Sequence, residues 1–259
     1  MSATMNEETI KALHEYVLRL GDDRLTLGHR LSEWCGHGPI LEEDLAITNV
    51  ALDLVGQASN FLKLSAELSN EELTADQLAY FRDDTDFHNI QLTELPRGDY
   101  AFTVARLFLF SAFSYHLFSE LQNCAYEDLA GLAAKALKET KYHLRHSGQW
   151  MLRMGDGTEE SHRRSQTAIN ELWMYTGEMF EEDSIDEHLI KNGLVPDIKP
   201  IREEWRRTVS GIIKQATLSK PDDDIWMASG GRRGFHTEHL GHMLTEMQIL
   251  ARSHPGAKW

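Results

Sequence analysis

Apolar residues recur in steps of three and four along almost the whole chain, which predicts helices and no sheet. The first segment, about Glu7 to Trp34, carries Ile10, Leu13, Val17, Leu20, Leu27, Leu31 and Trp34 in one stripe. Arg24 interrupts the centre of that stripe, with Gly21 and Gly28 a turn to either side. Small residues there allow a neighbouring helix to approach closely. Gly36 to Pro39 ends the segment. The second segment, about Glu42 to Leu68, is apolar nearly all round and reads as a central buried helix. A short third segment runs from Ala75 to Phe87, and Pro96-Arg-Gly-Asp99 reads as a turn. The fourth, Tyr100 to Asn123, is aromatic-rich and apolar on most faces. The fifth, Glu127 to Met154, stops at Gly155-Asp-Gly157, and the sixth spans Glu159 to Phe180. Glu181 to Pro200 is the longest break, a connection with room for a short helix. Ile201 to Leu218 and Thr237 to Arg252 are the last two segments, separated by the loop Gly230-Gly-Arg-Arg-Gly234.

Long helices with short turns point to a bundle, simplest as a four-helix core of segments one, two, four and five with the rest packed around it. The fold class expected is therefore all-α, a single helical domain over residues 1–259, with no internal repeat and no low-complexity tract.

Composition narrows the partners. With 41% hydrophobic residues the chain can bury a sizeable core, and its formal net charge of -15 disfavours nucleic acid and anionic membrane, both of which reward Lys/Arg clusters. The same charge allows steering toward a basic patch. Met1 to Glu8 is polar and acidic, unlike a signal peptide, and the greasiest stretch, Ala101 to Phe118, is broken by Arg106 and His116. A cytoplasmic location is the default. Two cysteines, Cys35 and Cys124, cannot build a disulfide framework and read as small buried apolar residues.

Polar groups inside apolar helices carry the chemistry, because each must be partnered if buried. Asn49, Asp53, Gln57 and Asn60 follow one another by about a turn on the second segment. Glu139, His143, His146 and Trp150 share a face of the fifth. One carboxylate and two imidazoles on one face can bind a metal, or form a hydrogen-bonded polar layer. A di-iron centre in a four-helix core needs a Glu from each of two helices and Glu-x-x-His from two others. Here Asp53 is followed by Gly56 in the histidine place, and Glu139 by Tyr142, with His143 one residue late. The fourth segment has no Asp or Glu from Tyr100 through Ser119, and the first puts the cation Arg24 where an acid is wanted; Asp22 and Asp23 fall off the stripe. Arg24, Asp53, Glu139 and His143 therefore read as degenerate di-iron positions turned into a structural polar layer, with the arginine near Asp53 or Glu139 replacing a metal's charge. No catalytic, cofactor-binding or metal residue is assigned.

His236, His239 and His242 drift around their helix by about 60° per step and cannot share a narrow face. Gly230-Gly-Arg-Arg-Gly234 before a helix can cradle an anion on backbone N–H groups, but it lacks the phosphate-loop spacing and reads as a plain basic loop.

The stretches Arg19-Leu-Gly-Asp-Asp23, Arg30-Leu-Ser-Glu-Trp-Cys-Gly-His37, Asp53-Leu-Val-Gly-Gln-Ala-Ser-Asn-Phe61, Lys138-Glu-Thr-Lys-Tyr-His-Leu-Arg145 and Gly234-Phe-His-Thr-Glu-His-Leu-Gly241 resemble the PaaC family, the structural C subunits of phenylacetyl-CoA 1,2-epoxidases. The resemblance spreads over nearly the whole chain. It implies a ferritin-like fold and a pairing with a homologous catalytic A subunit, which holds the di-iron centre and the acyl-CoA. It further implies electrons from a flavin/iron–sulfur reductase, contact with the reductase and small subunits through the complex, and no cofactor in this chain. An autonomous di-iron oxidase or oxygenase using Asp53, Glu139, His143 and a further ligand stays open, as do a helical adaptor unrelated to oxygenation and a homodimer of the isolated chain.

Overall fold

A computed structural model describes residues 5–69 and 71–257. The start of the polar N-terminal stretch, residues 1–4, lies outside them. The described residues form ten α-helices in order: α1 Glu7–Ser32, α2 Leu41–Leu68, α3 Ala75–Tyr80, α4 Gln91–Glu94, α5 Tyr100–Leu121, α6 Glu127–Gly155, α7 Glu159–Trp173, α8 Ser184–Lys191, α9 Ile198–Gln215 and α10 Glu238–Ser253. There is no strand among the described residues, so the all-helical expectation holds.

Local chemistry sets the helix starts. Asn6 accepts from the Thr9 N–H at 2.8 Å ahead of α1, and Asp99 accepts from the Phe102 N–H at 2.9 Å ahead of α5. Glu7 and Glu8 in the first turn of α1, with His29 and Arg30 in its last, match the helix dipole. Two short stretches differ from their sequence reading. Residues 81–90 leave the helix after Tyr80 and make only a single 3-10 turn, Asp84–Asp86. The sixth segment stops being α-helical at Trp173, and Gly177–Phe180 is again a 3-10 turn. The long break at 181–200 does contain a helix, α8, whose N-terminus Asp183 caps.

The core is built from α1, α2, α5 and α6. Gly21 and Gly28 work as expected: a Cβ on Gly21 would lie 2.7 Å from Leu62 Cδ2, and one on Gly28 2.9 Å from Val55 Cγ2. So α2 rests directly on the α1 backbone. By length and composition α5 passes for a membrane span, but most of it is buried within the bundle, as a core helix is. Helices α7 and α9, through Trp173 and Trp205, cover α5 together with Phe180 of the 3-10 turn between them, and Trp205 Nε1 donates to the Leu109 carbonyl at 3.0 Å. A smaller apolar cluster, with Leu18, Leu62, Leu78, Phe87, Leu240 and Leu244, ties α3 and α10 to the outer side of α1 and α2.

Two burial expectations fail. Helix α2 is not covered all round: Leu41, Leu45, Leu52 and Val55 are 71%, 55%, 65% and 37% exposed. Cys35 is exposed and Cys124 half-buried, because both fall just beyond helix ends rather than inside helices.

Candidate functional site

Of the polar residues singled out on α2 and α6, Asp53, Gln57, Glu139, His143 and His146 lie along one seam between those helices. His143 Nε2 lies 3.0 Å from Asp53 Oδ2. One turn away, Gln57 Nε2 donates to Glu139 Oε2 at 2.8 Å. Toward the other end, His146 Nε2 lies 2.9 Å from Glu43 Oε2, which also accepts from the Tyr100 hydroxyl at 2.7 Å. His143 is buried, whereas Asp53 keeps 37% of its side chain in contact with solvent. Tyr142 stacks on His146 with ring centroids 5.8 Å apart. The seam opens outward only as a cleft of about 50 Å³, lined by Asp53, Gly56, Gln57, Lys135 and Glu139. Asn49 is exposed and stays out of the seam, while Asn60 donates back to the Gly56 carbonyl at 2.9 Å and only lines the mouth of the cleft.

Arg24 stands apart from it. Its guanidinium carbon sits 4.5 Å from the Phe118 ring centre, 5.4 Å from that of Phe61 and 5.5 Å from that of Phe110. It donates to the Leu20 carbonyl at 2.9 Å and to Ser114 Oγ at 3.4 Å, and its one ion-pairing contact is Asp23 at 4.0 Å. The arginine does not neutralise Asp53 or Glu139. Its side chain is held between α1, α2 and α5 by aromatic faces. Burial lowers its pKa to about 10, with Asp23 opposing.

A second polar layer escapes the sequence reading. Asp22 and Asp23 are fully buried, not off the core. Asp22 accepts from both terminal nitrogens of Arg82 and from the His88 N–H at 2.9 Å. Asp23 accepts from Arg232 Nη1 and Nη2 and from the Ile90 N–H, all at 2.9 Å. Glu94, also fully buried, accepts from Asn89 Nδ2 at 2.8 Å and the Thr237 N–H at 2.6 Å, and faces His236 Nδ1 at 2.7 Å. Gly230-Gly-Arg-Arg-Gly234 is not a plain basic loop: the N–H groups of Gly230 and Gly231 hold the Glu178 carboxylate at 2.9 and 2.6 Å. The anion it cradles is the chain's own. Of the three spaced histidines, His236 joins this layer, His239 contributes its carbonyl to Arg30 Nη2 at 2.8 Å, and His242 is exposed. The layer pins residues 82–94 and the 230–234 loop across α1, satisfying non-helical backbone that would otherwise be buried without partners. Periodicity carries no signal for it, because the arginines that meet Asp22 and Asp23 lie 60 and 209 residues away.

These residues do not fit a di-iron group. Asp53 and Glu139 are engaged by His143 and Gln57, and Tyr142 and Gly56 occupy the places where histidines are needed. Toward Arg24, α5 presents Ser114 and phenylalanines rather than a carboxylate. A dication beside that guanidinium would meet like charge. Among the described residues, no three His, Cys, Asp or Glu side chains gather as a metal-binding group.

The family described as phenylacetic acid catabolic protein (PaaA_PaaC) matches residues 1–259. The chain is 47% identical over 247 residues to the C subunit of the 1,2-phenylacetyl-CoA epoxidase of Escherichia coli (strain K12), covering 95% of this chain and 99% of that protein.

Proposed function

This chain belongs to the phenylacetic acid catabolic protein family, and within it we propose that it serves as the non-catalytic C subunit of a phenylacetyl-CoA 1,2-epoxidase in aerobic phenylacetate breakdown. In this reading a homologous A subunit holds the di-iron centre and the substrate. The reductase and small subunits join through the complex, which works in the cytoplasm. The chain itself holds no cofactor.

The observation that carries the non-catalytic part is the place of Arg24. A cation is already built into the middle of the bundle, boxed by Phe61, Phe110 and Phe118. The α2–α6 seam satisfies its own carboxylates, so this half of the assembly supplies a closed, stiff helical wall rather than a reacting centre. The neighbouring subunit would gain orientation from it.

The test is elemental analysis of the purified chain after iron reconstitution and desalting, run beside the intact complex. The expected result is well under one iron per isolated chain and full iron in the complex. Close to two irons in the isolated chain would overturn the scaffold reading.

A further inference from the structure

The exposed leucines of α2 form a line, not a scatter. Leu41, Leu45, Leu52 and Val55 fall within one side of the helix and run along about 20 Å of it. Isolated surface leucines need no explanation, but several aligned on one side of a helix do.

The neighbouring helix carries a second line. Lys135, Lys138, Lys141, Arg145 and Arg153 are all exposed on α6. From Leu129 to Gly155 that helix has one carboxylate, Glu139, and it is turned into the seam against Gln57. The ion pairs α6 makes among the described residues run through His143 and His146, not through this row. In a chain of net charge -15, about a fifth of the 26 lysines and arginines stand in this row, and none of the five makes an ion pair among the described residues. Lys135 of this row lines the cleft beside Gly56 and Asn60 of α2, and the seam hydrogen bonds hold the two helices side by side.

We infer that the outer face of α2 and α6 is the docking surface for a second helical subunit, one that sets an apolar ridge on the α2 leucines and a row of Asp/Glu against the α6 cations. This rests on the subunit reading above and adds the place of contact and the chemistry of the partner. Size agrees: two adjacent helices of 28 and 29 residues offer about 40 Å by 20 Å. That is about 800 Å² per side, what a stable interface needs. The charge row fixes which partner and which register, and the leucines supply the buried area. The other exposed apolar groups are less suited: Ile249 and Leu250 are one pair on α10, while Trp226 and Phe235 lie on loops.

The experiment uses full-length chain and the ferritin-like A subunit from the same source, with affinity measured by sedimentation and its salt dependence recorded. Two variants, Leu45→Glu/Leu52→Glu and Lys138→Glu/Lys141→Glu/Arg145→Glu, change only exposed residues, so each should melt like wild type. Each is expected to weaken assembly about 100-fold or more, and the charge reversal should also abolish the loss of affinity with salt. The control Ile249→Glu/Leu250→Glu should stay within about threefold of wild type. Wild-type affinity in both α2 and α6 variants, or loss only in the α10 control, overturns the surface and leaves the subunit reading standing. So does a result in which the variants disrupt only self-association. A wild-type chain that binds no A subunit overturns both.

Discussion

Arg232 grips Asp23 with two nitrogens, each 2.9 Å from a separate carboxylate oxygen, across 209 residues of sequence. The same guanidinium donates to the His88 carbonyl at 2.8 Å. One pair thus clamps α1, the strap before α4 and the loop before α10. Asp23 has no exposure, and without Arg232 this buried charge keeps only the Ile90 N–H and the distant Arg24 at 4.0 Å. Arg232→Met is expected to cost about 3–5 kcal/mol, and adding Asp23→Asn should recover part of that loss. Urea unfolding of the two variants beside wild type measures both. Equal stability of Arg232→Met and wild type would show that the clamp is dispensable.

The repeating stripe of α1, the close approach at Gly21 and Gly28 and the polar faces that carry Asp53 and His143 are legible in the sequence, because periodicity reports which residues share a face; that His143 rather than an arginine meets Asp53 is not. The Asp22–Arg82 and Asp23–Arg232 pairs are not. Their partners lie 60 and 209 residues away, and helical periodicity carries no information about a strap that crosses the helix from elsewhere. The α2 leucines mislead for a related reason: an apolar face looks the same whether it is covered by its own chain or left on the surface. Arg24 is legible as a cation in the core, but its partners are aromatic rings, which no charge-matching argument would choose.

His236 predicts a pH dependence. Its Nδ1 faces the Glu94 carboxylate at 2.7 Å and its Nε2 the Phe87 carbonyl at 2.8 Å. Both are acceptors, so only the imidazolium satisfies both contacts. Burial alone would lower its pKa, but the Glu94 hydrogen bond and charge outweigh it and the net shift is upward from 6.5. In the unfolded chain the ring titrates near its ordinary value. Its contribution to stability is therefore full below about pH 6.5 and is lost as pH rises through the folded value. Melting curves of wild type and His236→Gln should differ most near pH 6 and converge at alkaline pH, since titrations elsewhere cancel in the difference. A gap that widens with pH would contradict the charged assignment.

Arg24→Met removes a buried cation while filling similar volume with apolar atoms. The aromatic contacts and the bond to Leu20 are lost, but so is the burial cost that already lowers this arginine to about 10. Asp23 keeps Arg232 and the Ile90 N–H when Arg24 is replaced, so no buried charge is stranded and the relieved burial cost offsets the lost contacts. Arg24→Met is expected to melt at or above the wild-type temperature. Arg24→Ala, which leaves a cavity among Phe61, Phe110 and Phe118, should fall below it. A large loss in the methionine variant would show that the cation itself holds the core together.

Glu139 and His143 separate a structural seam from a catalytic one. His143→Ala takes the imidazole from Asp53, and Glu139→Ala takes the acceptor from Gln57, whose Oε1 already has no protein partner. Leaving one member of such a pair unsatisfied costs about 1–3 kcal/mol, less where water reaches the survivor, as it does at Asp53. In a chain of this size that lowers the melting temperature by roughly 2–10 °C. If the seam only braces α2 against α6, turnover of the assembled complex should stay within a few-fold of wild type. If these residues act as ligands or acid–base groups, stability would change little while turnover collapsed. The measurement is epoxidation of phenylacetyl-CoA by the size-purified mutant complex with saturating reductase. A fall beyond about a hundredfold, or roughly 2.7 kcal/mol of barrier, with wild-type melting and assembly, would falsify the structural role.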